Sequence, residues 1–180
     1  MPRAGLDRAA VVAAAAVLAD EVGLANVTMG SVAERVGVRA PSLYKHVGGQ
    51  ADITRRVATL ALTELGDALR DALQGRAGRE ALAAAARTIR AYVVEHPGRY
   101  AATTVPPDDP AAGARVFDSL AAALAGYRLE PGGAVHRMRL LRTLFHGFAL
   151  LEVAGGFQLD NDVDESFEWI IGFVDRGLRT

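Results

Sequence analysis

Eight consecutive residues, Arg39-Ala40-Pro41-Ser42-Leu43-Tyr44-Lys45-His46, hold the densest set of chemically useful side chains in the chain. A guanidinium and an ammonium bind phosphate. Hydroxyls and an imidazole reach either phosphate or base edges. No set of residues reads as catalytic. The four histidines are His46, His96, His136 and His146. His136 and His146 stand ten residues apart, on different turns of a helix, and do not share a metal-binding face. There is no HExxH, GxGxxG, GxSxG or P-loop. Glu95 and Glu152 read as surface or capping groups. The absence of cysteine excludes disulfides, thiolate zinc sites, iron–sulfur clusters and a thiol nucleophile. No enzyme activity, metal or organic cofactor is expected.

Composition sets the frame for those side chains. With 180 residues, 51% hydrophobic and 23% charged, the chain is an ordinary globular one. Its net charge of −1 creates no general basic field. The longest wholly apolar run, Ala9–Ala19, is half of the roughly 20 residues a membrane span needs. Following Arg3 and Arg8, it also mimics a secretory signal, but it continues in helical register through Asp20 and Glu21. A cytoplasmic protein without a membrane partner is the expectation.

The elements that must position residues 39–46 are helices. Val11, Ala14, Ala15, Leu18 and Val22 share one helical face, with Asp7 as N-cap, Leu6 and Val11 at staple spacing, and Gly23 as terminator. Thr28 is the next N-cap, flanked by Val27 and Val32. Met29, Val32, Ala33 and Val36 form a short apolar stripe before Gly37. A third segment runs from about Arg39 to Val47, with Pro41 tolerated in its first turn, and Gly48-Gly49 ends it. Val32, Val36 and Leu43 pack the two short helices together. Arg39, Ala40, Ser42, Tyr44, Lys45 and His46 are left on the outer face. This is a helix-turn-helix, whose second helix fits a major groove.

Thr28, the run Ala33-Glu34-Arg35-Val36-Gly37-Val38 and Leu43-Tyr44-Lys45-His46 resemble the DNA-binding region of the tetracycline-repressor (TetR) family of bacterial transcriptional regulators. The likeness covers about residues 6–56. It implies that Thr28 bonds a phosphate while capping its helix, and that Arg39 and Ala40 open the recognition helix. Tyr44 would touch phosphate or a thymine methyl, Lys45 and His46 would hold the backbone, and Arg3 would reach the minor groove. Two positions depart from the family pattern. Val47 stands where an aromatic is usual, and Gln50 where a phosphate-binding lysine is usual. Gln50 can donate a neutral hydrogen bond but releases no counterion. Residues 1–56 carry a net +2 and the remainder −3, the sign expected of a DNA-binding head.

Beyond residue 49 the periodicity predicts helices over about 50–74, 79–95, 111–125, 134–154 and 162–179, with a short turn at 99–104. Loops fall at 105–110 and at Glu130-Pro131-Gly132-Gly133. The expected fold is all-α: an N-terminal three-helix DNA-binding domain, 1–49, followed by a helical ligand-binding and dimerisation domain, 50–180. The last two helices have apolar residues on more than one side, which calls for a second partner. Leu140, Leu144, Phe148, Leu151, Phe167, Ile170, Ile171, Val174 and Leu178 are the candidate interface of a homodimer, with Trp169 and Phe173 on a different side of the last helix. The resemblance implies a pocket for a small effector. Leu65, Leu69, Ile89, Tyr92, Tyr100, Phe117, Met138, Leu141 and Phe145 are its candidate lining and His96 and His146 its polar anchors, which suits a hydrophobic or amphipathic ligand. The implied function is a ligand-responsive regulator, a repressor in most of the family, acting as a homodimer on a palindromic double-stranded DNA operator. A helical small-molecule-binding dimer with weak or lost DNA binding is the alternative.

Overall fold

The computed structural model describes residues 6–127 and 132–179. Arg3 and the Glu130-Pro131 part of the predicted connector lie outside them. The described residues form α-helices and short 3₁₀ turns, without strands. The helices are α1 (Arg8–Val22), α2 (Met29–Arg35), α3 (Ala40–Leu43), α4 (Gln50–Leu73), α5 (Gly78–Glu95), α6 (Pro97–Ala101), α7 (Pro110–Leu124), α8 (Ala134–Val153) and α9 (Val163–Arg179). None among the described residues is long and apolar enough to cross a membrane.

The chain divides into two compact units. The first comprises residues 1–63 and 96–113, so it takes in the start of α4 and the α6 segment as well as the three N-terminal helices. Its core is small and tightly closed, with Val11, Ala15, Val32, Leu43, Ile53 and Val57 almost wholly buried. Local sequence explains how the helices start. The Asp7 carboxylate accepts from the Ala10 amide at 2.8 Å. Thr28 forms a reciprocal cap with Ser31, each side chain accepting from the other's backbone amide. Gly37, at φ +71°, makes the turn out of α2, a conformation that favours glycine.

Three boundaries differ from the sequence reading. The third helix is a single turn, Ala40–Leu43, and the chain leaves it through a bend in which the His46 and Val47 amides both bond the Leu43 carbonyl. Gly48-Gly49 follows immediately, so no residues remain to propagate a longer helix. α6 opens at Pro97, ahead of the short turn expected at 99–104, and α7 opens at Pro110, the last residue of the expected 105–110 loop. Proline at the first helical position lacks only an amide that would have had no partner.

The second unit comprises residues 64–95 and 114–180, with α5 packed along α8 and against α9. Arg90 of α5 ties it together. Its guanidinium makes a two-pronged pair with Glu152 of α8, at 2.6 and 2.7 Å, and reaches Asp164 of α9 at 2.7 Å. It also lies 4.9 Å from the Phe167 ring centre and 5.5 Å from that of Phe148. Glu152 is therefore a part-buried ion-pair partner and not a surface or capping group. Arg90→Met keeps the apolar stem but leaves two carboxylates without their counter-charge. A loss of about 3 kcal/mol is expected, lowering the melting temperature by roughly 6–12 °C. Adding Glu152→Gln should recover part of it. A single variant melting within a degree of wild type would show the cluster to be too solvated to matter.

Candidate nucleic-acid interface

The α2–α3 pair holds the predicted contact residues at the surface. Val32 and Leu43 are fully buried, with Val36 packed against the same core, which leaves the intervening residues facing out. Tyr44 is 61% exposed although it is a large aromatic, and Thr28, Arg39 and Lys45 are exposed as well. Ala40, Ser42 and His46 are half-buried. Among the described residues neither Arg39 nor Lys45 is held in an ion pair. A phenol and two cations standing clear of intramolecular partners suit a phosphate backbone.

Gln50 behaves differently from the sequence expectation of an outward donor. Its side-chain amide donates to the Val27 carbonyl at 2.9 Å. It thus fastens the first residue of α4 to the chain just ahead of α2, across 23 positions of sequence. Val47, the other departure, is buried and fills the core beside Leu43.

Four residues with a part in this region were missed by sequence reasoning: Arg8, Asp52, Arg55 and Arg56. Arg8 donates from Nε to the His46 carbonyl at 2.9 Å and so braces the bend after α3. Asp52 accepts from the Gly48 amide at 2.8 Å and from Arg56 Nε at 2.9 Å. Arg56 goes on to Asp108 at 2.9 Å. The Arg56 guanidinium, and then the Gly48 amide, hold the Asp52 carboxyl below its ordinary range. The Asp108 amide donates to the Arg55 carbonyl, and the Asp109 amide to Thr59 Oγ1. The loop before α7 is thereby laced to the first half of α4. The adjacent Arg55-Arg56 pair was the one signal in the sequence that pointed here.

The predicted effector residues divide between the units. Leu65, Leu69, Ile89, Tyr92, Met138, Leu141 and Phe145 are buried in the second. There the Tyr92 hydroxyl donates to Glu64 at 2.7 Å. His146 is half-buried in that unit, and burial, then the Arg142 charge, lowers its pKa. His96 and the buried Tyr100 belong to the first unit, with His96 Nδ1 3.5 Å from Asp20. Phe117 is corrected from lining to surface: it is 47% exposed on α7.

The interface set also needs correction. Phe148, Phe167, Ile171, Val174 and Leu178 are buried within this one chain. They cover α5, α8 and α9 against each other, with Phe145–Phe167 and Phe148–Phe167 ring contacts at 5.9 and 4.9 Å. Leu140 and Leu151 are exposed, and Leu144 and Ile170 are half-buried. The strongest outward group is Trp169 stacked on Phe173 at 5.6 Å, both more than half exposed. Leu144, Gly147, Leu151, Phe157, Trp169 and Ile170 border an open apolar groove of about 770 Å³ on α8 and α9.

Comparison with known proteins agrees with this arrangement. Residues 11–57 match the family model described as bacterial regulatory proteins, tetR family, and residues 82–174 match the tetracyclin repressor-like C-terminal domain. The uncharacterized HTH-type transcriptional regulator YobS of Bacillus subtilis is 32% identical over 182 residues, spanning 98% of this chain and 95% of YobS. Among solved structures, a possible TetR family transcriptional regulator from Streptomyces coelicolor A3(2) is similar with a TM-score of 0.79 at 23% identity, covering 96% of this chain and 98% of that one. The S. coelicolor TetR family protein ActR, in complex with (S)-DNPA, is similar with a TM-score of 0.77 at 22% identity, covering 97% and 98%. A helix-turn-helix ahead of an all-helical second domain defines a DNA-binding transcriptional regulator. The chain belongs to the TetR family of such regulators.

Proposed function

We propose that the chain is a ligand-responsive repressor that binds a palindromic operator as a homodimer. The observation that carries this reading is the recognition turn itself. Arg39, Tyr44 and Lys45 stand exposed on a buried Val32–Leu43 scaffold, and Thr28 caps the helix before it. Ala40, Ser42 and His46 complete the face that meets the groove. In this reading 1–49 is the DNA-binding domain and 50–180 receives the effector and the second protomer. The exposed sides of α8 and α9 meet their copies about a two-fold axis, forming a four-helix bundle. Two recognition helices then dock on half-sites about one helical turn apart.

The effector is a small hydrophobic or amphipathic molecule. The apolar majority of the buried candidates, Leu65, Leu69, Ile89, Met138, Leu141 and Phe145, supports that class. ActR, a protein of similar fold, is known in complex with (S)-DNPA. Coupling runs through α4, which starts beside the recognition turn and extends from the first unit into the second. The lacing of residues 108–109 to Arg55, Arg56 and Thr59 gives the loop before α7 a grip on this helix. An effector that tilts α4 changes the spacing of the recognition helices and with it the operator affinity.

The test is selection of bound sequences from random duplex DNA, followed by affinity at two salt concentrations. An enriched palindrome with steep salt dependence is the expected result. Absence of enrichment at low salt would replace this reading with a ligand-binding dimer that has lost DNA binding.

A further inference from the structure

One cleft beside the recognition bend brings Lys45 and His46 together with Arg8 and Arg55, two cations to which no DNA contact has yet been given. Arg8 from α1, Lys45, His46 and Gly48 from the recognition bend, and Asp52 and Arg55 from α4 border an open polar cleft of about 390 Å³. Its electrostatics are lopsided. The Asp52 carboxylate is committed to the Gly48 amide and to Arg56, and Arg56 is further neutralised by Asp108. Arg55 touches Asp52 only at 3.4 Å, through one nitrogen, and its side chain is 43% exposed. Arg8 is pinned at the cleft by the His46 carbonyl, and among the described residues neither Arg8 nor Lys45 is held by a carboxylate. Beside the neutralised Arg56, three further cations therefore line a concavity whose one acid is already engaged.

Gln50 explains why such a cleft has work to do. At the position where the resemblance places a phosphate-binding lysine, this chain has a neutral amide that donates to the Val27 carbonyl. We propose that Arg55, with Arg8 and Lys45, seats one phosphate of the operator backbone in this cleft, supplying from the second turn of α4 the charge that its first residue lacks. A guanidinium suits the task, because it stays charged and can offer two parallel donors to one phosphate. The proposal rests on the operator-binding reading above.

The experiment measures wild type, Arg55→Gln and Arg55→Lys on the selected operator duplex and on an unrelated duplex, from about 50 to 300 mM salt. Arg55→Gln is expected to flatten the slope of log affinity against log salt by about 0.9, the share of one phosphate. It should weaken both duplexes by a similar factor and leave sequence preference unchanged. Arg55→Lys is expected to keep the wild-type slope. Thermal melting checks that both variants are folded. A purely structural partner of Asp52 would leave the slope in place, and an unchanged slope for Arg55→Gln overturns this proposal alone. A wild type that binds no duplex at all would sink the operator reading and this proposal together.

Discussion

Gly98→Ala is expected to be the most damaging single methyl group that can be added to the first unit. A Cβ at residue 98 would stand 1.7 Å from the Ala19 carbonyl oxygen and 2.5 Å from the Asp20 amide nitrogen. Both are backbone atoms, so no rotamer change relieves the clash, and α6 must retreat from α1 by more than about an ångström. Retreat also breaks the clasp beside it, in which Asp20 accepts from the Arg99 amide at 2.8 Å and from Arg99 Nε at 2.7 Å. A loss of about 3 kcal/mol or more is expected, with a fall in melting temperature of roughly 6–12 °C. Gly113→Ala is the internal control. Gly113 lies in α7, and its added methyl meets nothing within 4 Å. Alanine there should stabilise slightly, by up to about 1 kcal/mol, because glycine costs a helix more backbone entropy. The same chemical change is thus expected to have opposite signs at two helical glycines, read by paired thermal melts. Equal melting temperatures would mean that α6 does not press on α1.

Trp169→Asp is expected to yield a folded monomer. Trp169 is 65% exposed and stacks on Phe173, so its removal leaves the buried Phe167–Ile171–Val174 stripe intact. Large aromatics at the centre of an interface commonly carry 2 kcal/mol or more of association energy, and a carboxylate placed against its own symmetry copy adds repulsion. Sedimentation should show the wild type as a dimer and the variant at half its mass, with an unchanged helical spectrum. Operator affinity should fall by about 100-fold or more, since each recognition helix then binds without the gain from its tethered twin. Phe167→Asp is the contrast. It buries a charge in the chain's own core, where Phe145 and Phe148 pack on the ring, and should unfold the second unit instead of separating protomers. A Trp169→Asp protein that stays dimeric with full DNA affinity would remove this face from the proposed assembly.

The α9 helix marks where sequence reading runs out. Its periodicity correctly gives two apolar sides, yet it does not say which side the chain keeps for itself. The stripe holding Phe167, Ile171, Val174 and Leu178 is covered by this chain's own helices, while Trp169 and Phe173 face outward. Periodicity fixes angles around one helix axis; the neighbour that covers each side depends on where α5 and α8 lie. Gly98 has the same character, because a helical glycine in sequence carries no record of the backbone that approaches it.

What the sequence determined by itself was local. The caps at Asp7 and Thr28, the turn at Gly37, the buried Val32 and Leu43 and the outward Arg39, Tyr44 and Lys45 all follow from spacings of three or four residues, within reach of a single helical turn. The helix-turn-helix, and with it the family, was legible for that reason. Only the tertiary structure decided where the Gln50 amide bonds, that Arg56 bridges from Asp52 to Asp108, and that Arg8 closes on His46. The long-range partners stand 23 to 52 positions apart. A hydrogen bond is specified by distances of about 3 Å, and nothing in the order of residues states which distant groups the packing of helices will bring that close.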